Sequence, residues 1–274
     1  VSQADLHREF AFGASEFATL ATMVNSLTGI VLAEHKRDMV YSRLARRVRA
    51  LKMRSFTEYC NFLENDTEQT EISNLINAIT TNLTSFFREE HHFYHLRDVV
   101  LPAIAQKNTR HVRLWSAACS AGMEAYSMAM VVHQHLPNIG QWDAKILATD
   151  IDTNMLEIGR AGRYPSTEKE KIPATYHSYL KEEHNTLHMS RLLQELISFK
   201  HLNLLGEWPM RGQFDVVFCR NVVIYFDKPT QVKLFNHIAD ILRPNGWLYI
   251  GHSESIAKTN PQFRLMGRTI YQKV

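Results

Sequence analysis

Apolar residues recur at helical spacing through the first eighty positions. Phe17, Leu20, Val24 and Leu27 fall on one helical face, and Thr28-Gly29 supplies a stop. The stretch Glu34 to Met53 keeps Val40, Leu44, Val48 and Leu51 on one side. Arg43, Arg47 and Arg54 share another side, with Arg46 and Arg49 beside them, so one apolar and one cationic face are expected. Ser55-x-x-Glu58 reads as a capping box for a helix carrying Phe56, Tyr59 and Leu63, and Ile72, Leu75, Ile76 and Ile79 mark one more helix. The pattern predicts a small all-helical domain over residues 1–80.

After Thr80 the pattern changes. The polar run Thr81–Ser85 and then Phe86-Phe87-Arg88 lead into a helix from Glu89 to about Gln106, so residues 81–107 read as a linker and connecting helix. From 108 to 274 short strand-like runs alternate with helical ones. The strands are His111–Ser116, Ala144–Thr149, Ile197–Asn203, Phe214–Cys219 and Trp247–Gly251; the helices are Gly122–Leu136, Thr153–Arg160 and Pro229–Leu242. Such alternation predicts an α/β domain with a mainly parallel sheet covered on both faces. Phe263–Met266 and Thr269–Val274 predict an antiparallel hairpin at its edge, joined through Gly267-Arg268. Leu242-Arg243-Pro244-Asn245-Gly246-Trp247 reads as a helix stop and a turn. The stretch of about 172–203 is too long for one connection and reads as a small inserted subdomain.

Composition narrows the class. Of 274 residues, 45% are hydrophobic and 22% charged, which disfavours disorder. No apolar run reaches the roughly eighteen residues of a membrane helix, and no leader pattern opens the sequence, so a cytoplasmic protein without membrane insertion is expected. Cys60, Cys119 and Cys219 are isolated, which argues against a disulfide framework or zinc knuckle. The net charge of +3 is uneven: Glu34–Arg54 holds eight cationic and two acidic side chains, a local +6.

Open α/β sheets bind ligands beyond the carboxyl ends of their strands. There, Ala117-Ala118-Cys119-Ser120-Ala121-Gly122 offers small residues just before a helix. No G-x-G-x-x-G and no P-loop occurs. Asp150 ends the next strand, where an acid can accept hydrogen bonds from ribose hydroxyls. Loop and acid together suggest a nucleoside ligand without a bound pyrophosphate; a tight turn followed by a capping aspartate is the plain alternative. Phe214–Phe226 delivers Arg220 and Asn221 to the same edge, with Tyr225 one helical turn on.

Four segments now carry a resemblance: Asn82-Leu83-Thr84-Ser85-Phe86-Phe87-Arg88, Trp115–Gly122, Phe218–Phe226 and Gly251-His252-Ser253-Glu254-Ser255. In this order the chain resembles the CheR-type chemotaxis receptor methyltransferases across essentially its whole length. The family's usual Gly-Glu-Glu-Pro-Tyr-Ser is here Gly122-Met123-Glu124-Ala125-Tyr126-Ser127, which keeps Glu124. The resemblance implies a Rossmann-like S-adenosylmethionine-dependent sheet with a carboxyl-terminal hairpin, behind a small all-helical domain. It implies methyl transfer to glutamate carboxylates of chemoreceptors, with S-adenosylhomocysteine as product and no metal. It places Asn82, Thr84, Arg88, Glu124, Asp150, Asn203, Leu204, Arg220 and Asn221 at the cofactor. Arg88 and Tyr225 become the catalytic candidates, and Arg43, Arg46, Arg47 and Arg49 face the receptor's acidic helical bundle. The insert is expected to dock a receptor's carboxyl-terminal tail. A carboxylate nucleophile is ionised at neutral pH, so the missing nucleophile–base pair agrees with this chemistry.

The competing readings are a methyltransferase acting on RNA or a small molecule, and a non-catalytic S-adenosylmethionine-binding module. No aromatics interleave the basic helix, which disfavours single-stranded RNA, and no nucleic-acid partner is expected. A monomer is expected. For Arg88 the plain alternative is a surface arginine at a helix start, and for Tyr225 a packed core ring. Glu90-His91-His92 with His95 reads as an exposed helix face rather than a metal site. Gly251–Ser255 only faintly resembles a hydrolase elbow, and Cys119 reads as a small loop residue.

Overall fold

The computed structural model describes residues 8–107, 109–256 and 260–274; the expected domain starts at 1 and 108 lie outside that range. Two compact units emerge. One takes the described residues to Thr81 together with Tyr225–Asp227; the other runs Asn82–Ile224 and from Lys228 onward.

The first unit is helical: α1 (Ala14–Thr28), α2 (Arg37–Ala50), α3 (Phe56–Glu64) and α4 (Thr70–Ile79). Gly29 ends α1 at φ +72°, a conformation glycine adopts without steric cost, and its N–H returns to the Asn25 carbonyl. Leu20, Val24, Val40, Leu44, Val48, Phe56, Leu63 and Leu75 form the buried core that the helical spacing anticipates. At α3 the Ser55 hydroxyl accepts the Glu58 N–H at 3.1 Å. The reciprocal arm of the box differs from expectation: the Glu58 carboxylate accepts the N–H of Arg54, one residue before the cap, at 2.8 Å.

The second unit opens with α5 (His91–His95), which passes through a π-helical turn, Leu96–Val100, into α6 (Leu101–Ala105). Then follow β1 (His111–Ala117), α7 (Met123–His135), β2 (Asp143–Asp150) and α8 (Thr153–Ala161). Next come β3 (Arg163–Pro165), β4 (Leu180–Glu183), β5 (Thr186–Met189), α9 (Arg191–Gln194) and β6 (Ile197–His201). The unit closes with β7 (Phe214–Cys219), α10 (Lys228–Ile241), β8 (Leu242–Tyr249), β9 (Phe263–Gly267) and β10 (Ile270–Lys273).

The described residues form a seven-stranded sheet in the order β6-β2-β1-β7-β8-β10-β9. Strands β6 to β8 pair in parallel; β10 runs antiparallel to both β8 and β9. The strand order reverses at β1, where Leu114 lies beside Ile146 on one side and Val216 on the other. This switch point opens a crevice at the carboxyl edge, where the loops after β1, β2, β7 and β8 emerge. β8 begins earlier than its sequence suggests. Partners jump from Phe214–Leu242 to Val216–Trp247, so Arg243–Gly246 bulge out within the strand instead of forming a turn before it.

The insert is a separate sheet, β3-β5-β4, that starts at Arg163. It ends before β6, which belongs to the main sheet. No helix among the described residues is long and apolar enough to cross a membrane.

Glycine lets α8 approach the small-residue loop. A Cβ on Gly159 would lie 2.5 Å from the Phe199 ring of β6, and one on Gly122 would lie 2.7 Å from the same ring and 3.1 Å from Gly159. Gly159→Ala therefore overpacks a buried wedge. Its expected cost is about 1–3 kcal/mol, seen as a lower denaturant midpoint at unchanged slope in equilibrium unfolding.

Candidate active site

The loop after β1 is shaped by its own backbone and by one buried acid. Ala118, Ser120 and Gly122 take positive φ of 61°, 49° and 82°, so the chain curls tightly before α7. Asp150, 6% exposed at the end of β2, accepts the Ser120 N–H at 2.7 Å and the Asp152 N–H at 2.8 Å. Burial pushes its pKa up, and these two amides pull against that. An ionised carboxylate has about four acceptor sites, so Asp150 keeps capacity for a ligand's hydroxyls. Asp152 caps α8 through the N–H groups of Asn154 and Met155, and its other oxygen accepts from the Asn82 amide at 2.7 Å. The Asn82 carbonyl in turn accepts the Ser120 hydroxyl at 3.1 Å. The segment before Arg88 is thereby tied to both loops.

Arg220, just past β7, is buried, with its side chain 2% exposed. Its Nη1 donates to Glu124 Oε2 at 3.0 Å, its Nη2 lies 3.5 Å from Glu89 Oε2 and also donates to the Arg88 carbonyl. Ser116 holds the other Glu124 oxygen at 2.6 Å. Burial raises the Glu124 pKa, with Arg220 opposing. For Glu89 burial acts upward too, but the His252 hydrogen bond and the Arg220 charge outweigh it, leaving a pKa of about 2. Arg220 Nε and Glu89 Oε2 are buried without a hydrogen-bond partner among the described residues.

A second buried carboxylate fixes the next loop. Glu254 Oε2 accepts the N–H groups of Asn221 at 2.9 Å and Gly251 at 2.5 Å, while Oε1 accepts that of Val223 at 2.9 Å. Burial raises its pKa and these amides counteract the rise. Asn221 sits at φ +58°, and a Cβ on Gly251 would lie only 2.3 Å from its side-chain nitrogen. Gly251–Glu254 is therefore a clamp on the loop after β7, with no part resembling a nucleophile elbow.

The other sequence candidates are distributed as follows. Thr84 is half-buried, and the Arg88 guanidinium donates to the Leu83 carbonyl at 3.1 Å. Asn203 and Leu204 follow β6, in a segment that the Leu202 N–H bonds to the Asp150 carbonyl at 3.0 Å. Tyr225 groups with the helical unit: its carbonyl accepts the Val31 N–H at 2.9 Å and its ring lies 5.5 Å from the Lys36 ammonium.

On α2 most of the cationic charge is already engaged. Arg43 donates to the carbonyls of Ile79 and Thr80 at 2.7 Å, closing the end of α4. Arg47 forms a two-pronged pair with the buried Glu71 at 2.9 and 2.5 Å, and Arg49 pairs with Glu9. Arg46 is exposed.

Four residues of the α/β site, Glu89, His92, His252 and Glu254, were not singled out as functional by the sequence. The histidine cluster is not an exposed face: His92 is fully buried, with Nε2 3.1 Å from the Thr269 hydroxyl, while His95 meets the Tyr249 hydroxyl at 2.8 Å. Apolar neighbours, Phe93 on α5 and Leu96 in the π-helical turn after it, mark this side as facing inward. No group of three or more potential metal ligands occurs among the described residues.

A parallel sheet with a small-residue loop after its first strand and a buried acid after its second defines a Rossmann-like nucleoside-binding domain, here carrying a carboxylate–guanidinium cluster. Residues 82–272 match the family model "CheR methyltransferase, SAM binding domain", and residues 15–80 match "CheR methyltransferase, all-alpha domain". A probable chemotaxis protein methyltransferase of Rhizobium etli is 43% identical over 258 residues, covering 91% of this chain and 96% of that one. Chemotaxis protein methyltransferase 2 of Pseudomonas aeruginosa is 41% identical over 273 residues, covering 97% and 95%. The chemotaxis protein methyltransferase of Escherichia coli is 41% identical over 270 residues, covering 95% and 91%. The chain belongs to the CheR methyltransferase family and is an S-adenosylmethionine-dependent methyltransferase of the chemotaxis type.

The donor set suits that cofactor. S-adenosylmethionine is net cationic, with ribose hydroxyls and an amino-acid end; the site sets buried carboxylates against a smaller positive charge and has unmet polar atoms on Arg220 and Glu89.

The buried imidazole yields a pH prediction. Burial, then the nearby Arg220 charge, lowers the His92 pKa from 6.5 to about 3. The unfolded chain takes up this proton as pH falls through 6.5 and the folded chain does not, so stability declines below that point. The stability of the wild type relative to His92→Phe should fall between pH 7 and 5 in urea unfolding, a window above the titration of Glu89.

Proposed function

We propose that this protein transfers the methyl group of S-adenosylmethionine to glutamate side chains in the cytoplasmic helical region of methyl-accepting chemoreceptors, forming γ-glutamyl methyl esters. The observation that carries the reading is the geometry at the switch point. There Asp150 holds the small-residue loop and Arg220 is held between Glu124 and Glu89, in a chain whose family model is a methyltransferase.

When bound, S-adenosylmethionine supplies an electrophilic methyl group on a sulfonium. The protein's task is to hold two reactants in line, and orientation of this kind can be worth about 7–11 kcal/mol. Asp150 takes the ribose hydroxyls, Glu124 the α-ammonium, and Asn203, Leu204 and Asn221 flank the nucleoside. Asn82 and Thr84 close over it from the linker. Arg220 offsets part of the charge of Glu124 and Glu89 and leaves Nε for the ligand. Arg88 pairs with a carboxylate, the methionyl one or the acceptor's. The acceptor carboxylate has an ordinary pKa near 4.3 and is already ionised, so no general base is required.

On α2, Arg46 is the cation best placed to meet an acidic receptor helix, while Arg43, Arg47 and Arg49 hold the helical unit together. The small sheet leaves one side of β4 unpaired in the order β3-β5-β4, which supports docking of a receptor tail as an added strand. The protein works in the cytoplasm, where the receptors present these segments.

Calorimetric titration with S-adenosylhomocysteine should give saturable binding that Asp150→Ala abolishes. Transfer of labelled methyl to a receptor cytoplasmic fragment should give base-labile esters, and Arg88→Ala should slow it by about 10- to 100-fold. Label on RNA, or on a fragment whose acceptor glutamates are replaced by alanine, would overturn the reading.

A further inference from the structure

His252 sits on the loop after β8, at the same carboxyl edge as Asn221. Its side chain is 68% exposed, in contrast to the half-buried Glu89 and Glu124 and the buried Arg220 and Glu254 around it. The exposed ring is nevertheless held. Nδ1 lies 3.0 Å from Glu89 Oε1, and the His252 backbone N–H donates to the same oxygen at 3.3 Å. The Asn221 amide reaches that oxygen at 3.4 Å, so one carboxylate oxygen orients both residues. Glu89 is ionised, as its pKa of about 2 requires. It accepts hydrogen bonds only, so Nδ1 carries the proton between them. Nε2 has no partner among the described residues.

We propose that His252 is the acceptor-binding residue of the methyl-transfer reaction: the ring, steered by Glu89 on Nδ1, binds one oxygen of the incoming carboxylate through Nε2. This rests on the glutamate-acceptor reading above. In the productive complex the imidazole bridges two carboxylates and carries both ring protons. The second oxygen of the acceptor donates a lone pair to the methyl carbon as the sulfur–methyl bond breaks, the bonding pair stays on sulfur to give S-adenosylhomocysteine, and no proton moves in the step. Glu89 is the positioning residue of the pair. The charged and titratable groups around the ring are Glu89 on the turn before α5, His92 on α5, Arg220 after β7, Glu254 on its own loop, and Glu124 of α7 behind Arg220. Of these Glu89 makes the direct contact, while Arg220 is paired with Glu124 and Glu89 and Glu254 is held by the backbone N–H groups of Asn221, Val223 and Gly251.

The arrangement gives specificity as well as affinity. A ring bearing a proton on Nε2 binds a carboxylate through a charge-assisted hydrogen bond and gains much less from a neutral amide. It therefore favours glutamate over glutamine at the same position of a receptor helix.

The test is steady-state methylation of a chemoreceptor cytoplasmic fragment, with S-adenosylhomocysteine titration of each variant as the check on the cofactor site. His252→Ala should raise KM for the fragment about tenfold or more, with kcat changed less than KM and S-adenosylhomocysteine affinity unchanged. His252→Gln, which keeps an N–H donor, should recover part of the affinity that His252→Ala loses. Glu89→Gln should raise KM in the same direction as His252→Ala. An unchanged KM in His252→Ala, or a His252→Gln variant that binds the fragment no better than His252→Ala, overturns the assignment while leaving the glutamate reading intact. A wild type that binds S-adenosylhomocysteine but methylates no glutamate of the fragment overturns that reading, and this inference with it.

Discussion

A buried guanidinium holds the site's parts in register. Taking Arg220 out of water costs several kcal/mol after relaxation, and only close opposite charges with good geometry can offset that. Glu124 from α7, Glu89 from the turn before α5 and the Arg88 carbonyl supply the compensation, and all three lie on different elements from Arg220. The pairing therefore fixes two chain segments, the turn at Arg88-Glu89 and the start of α7, around the end of β7. Removing any one partner would leave a buried charge, which is far more costly than losing a surface contact. The rings of Phe93 and Phe218, 5.8 and 5.9 Å from the guanidinium, keep water away and strengthen the electrostatics.

The same physics recurs wherever a loop must be held without a regular ladder. A buried carboxylate accepts backbone N–H groups that no strand or helix satisfies. Asp150 does this for the loops after β1 and β2, and Glu254 for the loops after β7 and β8. At the opposite edge Asp215 accepts the Arg113 N–H at 3.0 Å and pairs with Arg243 at 3.1 Å, which draws in the β8 bulge. Charge so placed is worth more for shape than for net stability, because burial raises the energy of each carboxylate while the amides lower it. What results is a carboxyl edge whose loops are set before any ligand arrives, the condition under which fixed dipoles act without reorganisation.

Periodicity made most of the fold legible, and periodicity reports which face is apolar. Phe17 through Leu27 show this directly, whereas Val216 through Phe218, buried on both faces, show only as a continuous apolar run. The Arg243–Gly246 bulge was not legible, because Pro, Asn and Gly look the same in a turn and in a bulge; their distinction is the pull of Asp215 across the sheet. Asp150 stands out because a loop of small residues precedes it, and Glu124 because the family resemblance marks it. Glu89 and Glu254 do not, since their partners lie 131 and 33 positions away, at Arg220 and Asn221, and no local pattern encodes such a pairing. His92 was misread for a related reason. Two adjacent histidines suggest water, yet helical rotation turns one of them wholly into the core beside Phe218 and Tyr249.

The basic helix shows how far charge counting can mislead. A segment of +6 suggests a broad cationic face, but most of its arginines satisfy carbonyls and carboxylates within the helical unit itself. Arginine suits this use because its planar fork can cap a helix end or grip a carboxylate two-handed while its stem packs against apolar neighbours. What such a helix can offer a partner is therefore set by exposed, uncommitted groups such as Arg46, each worth about 1 kcal/mol or less at a solvated surface. The α/β unit follows a parallel rule, for its most densely charged region is also its most internally paired. In both units the charges that dominate the sequence serve mainly to fix geometry. That is the contribution a methyl transfer asks of a protein, since its rate depends on holding two reactants in line.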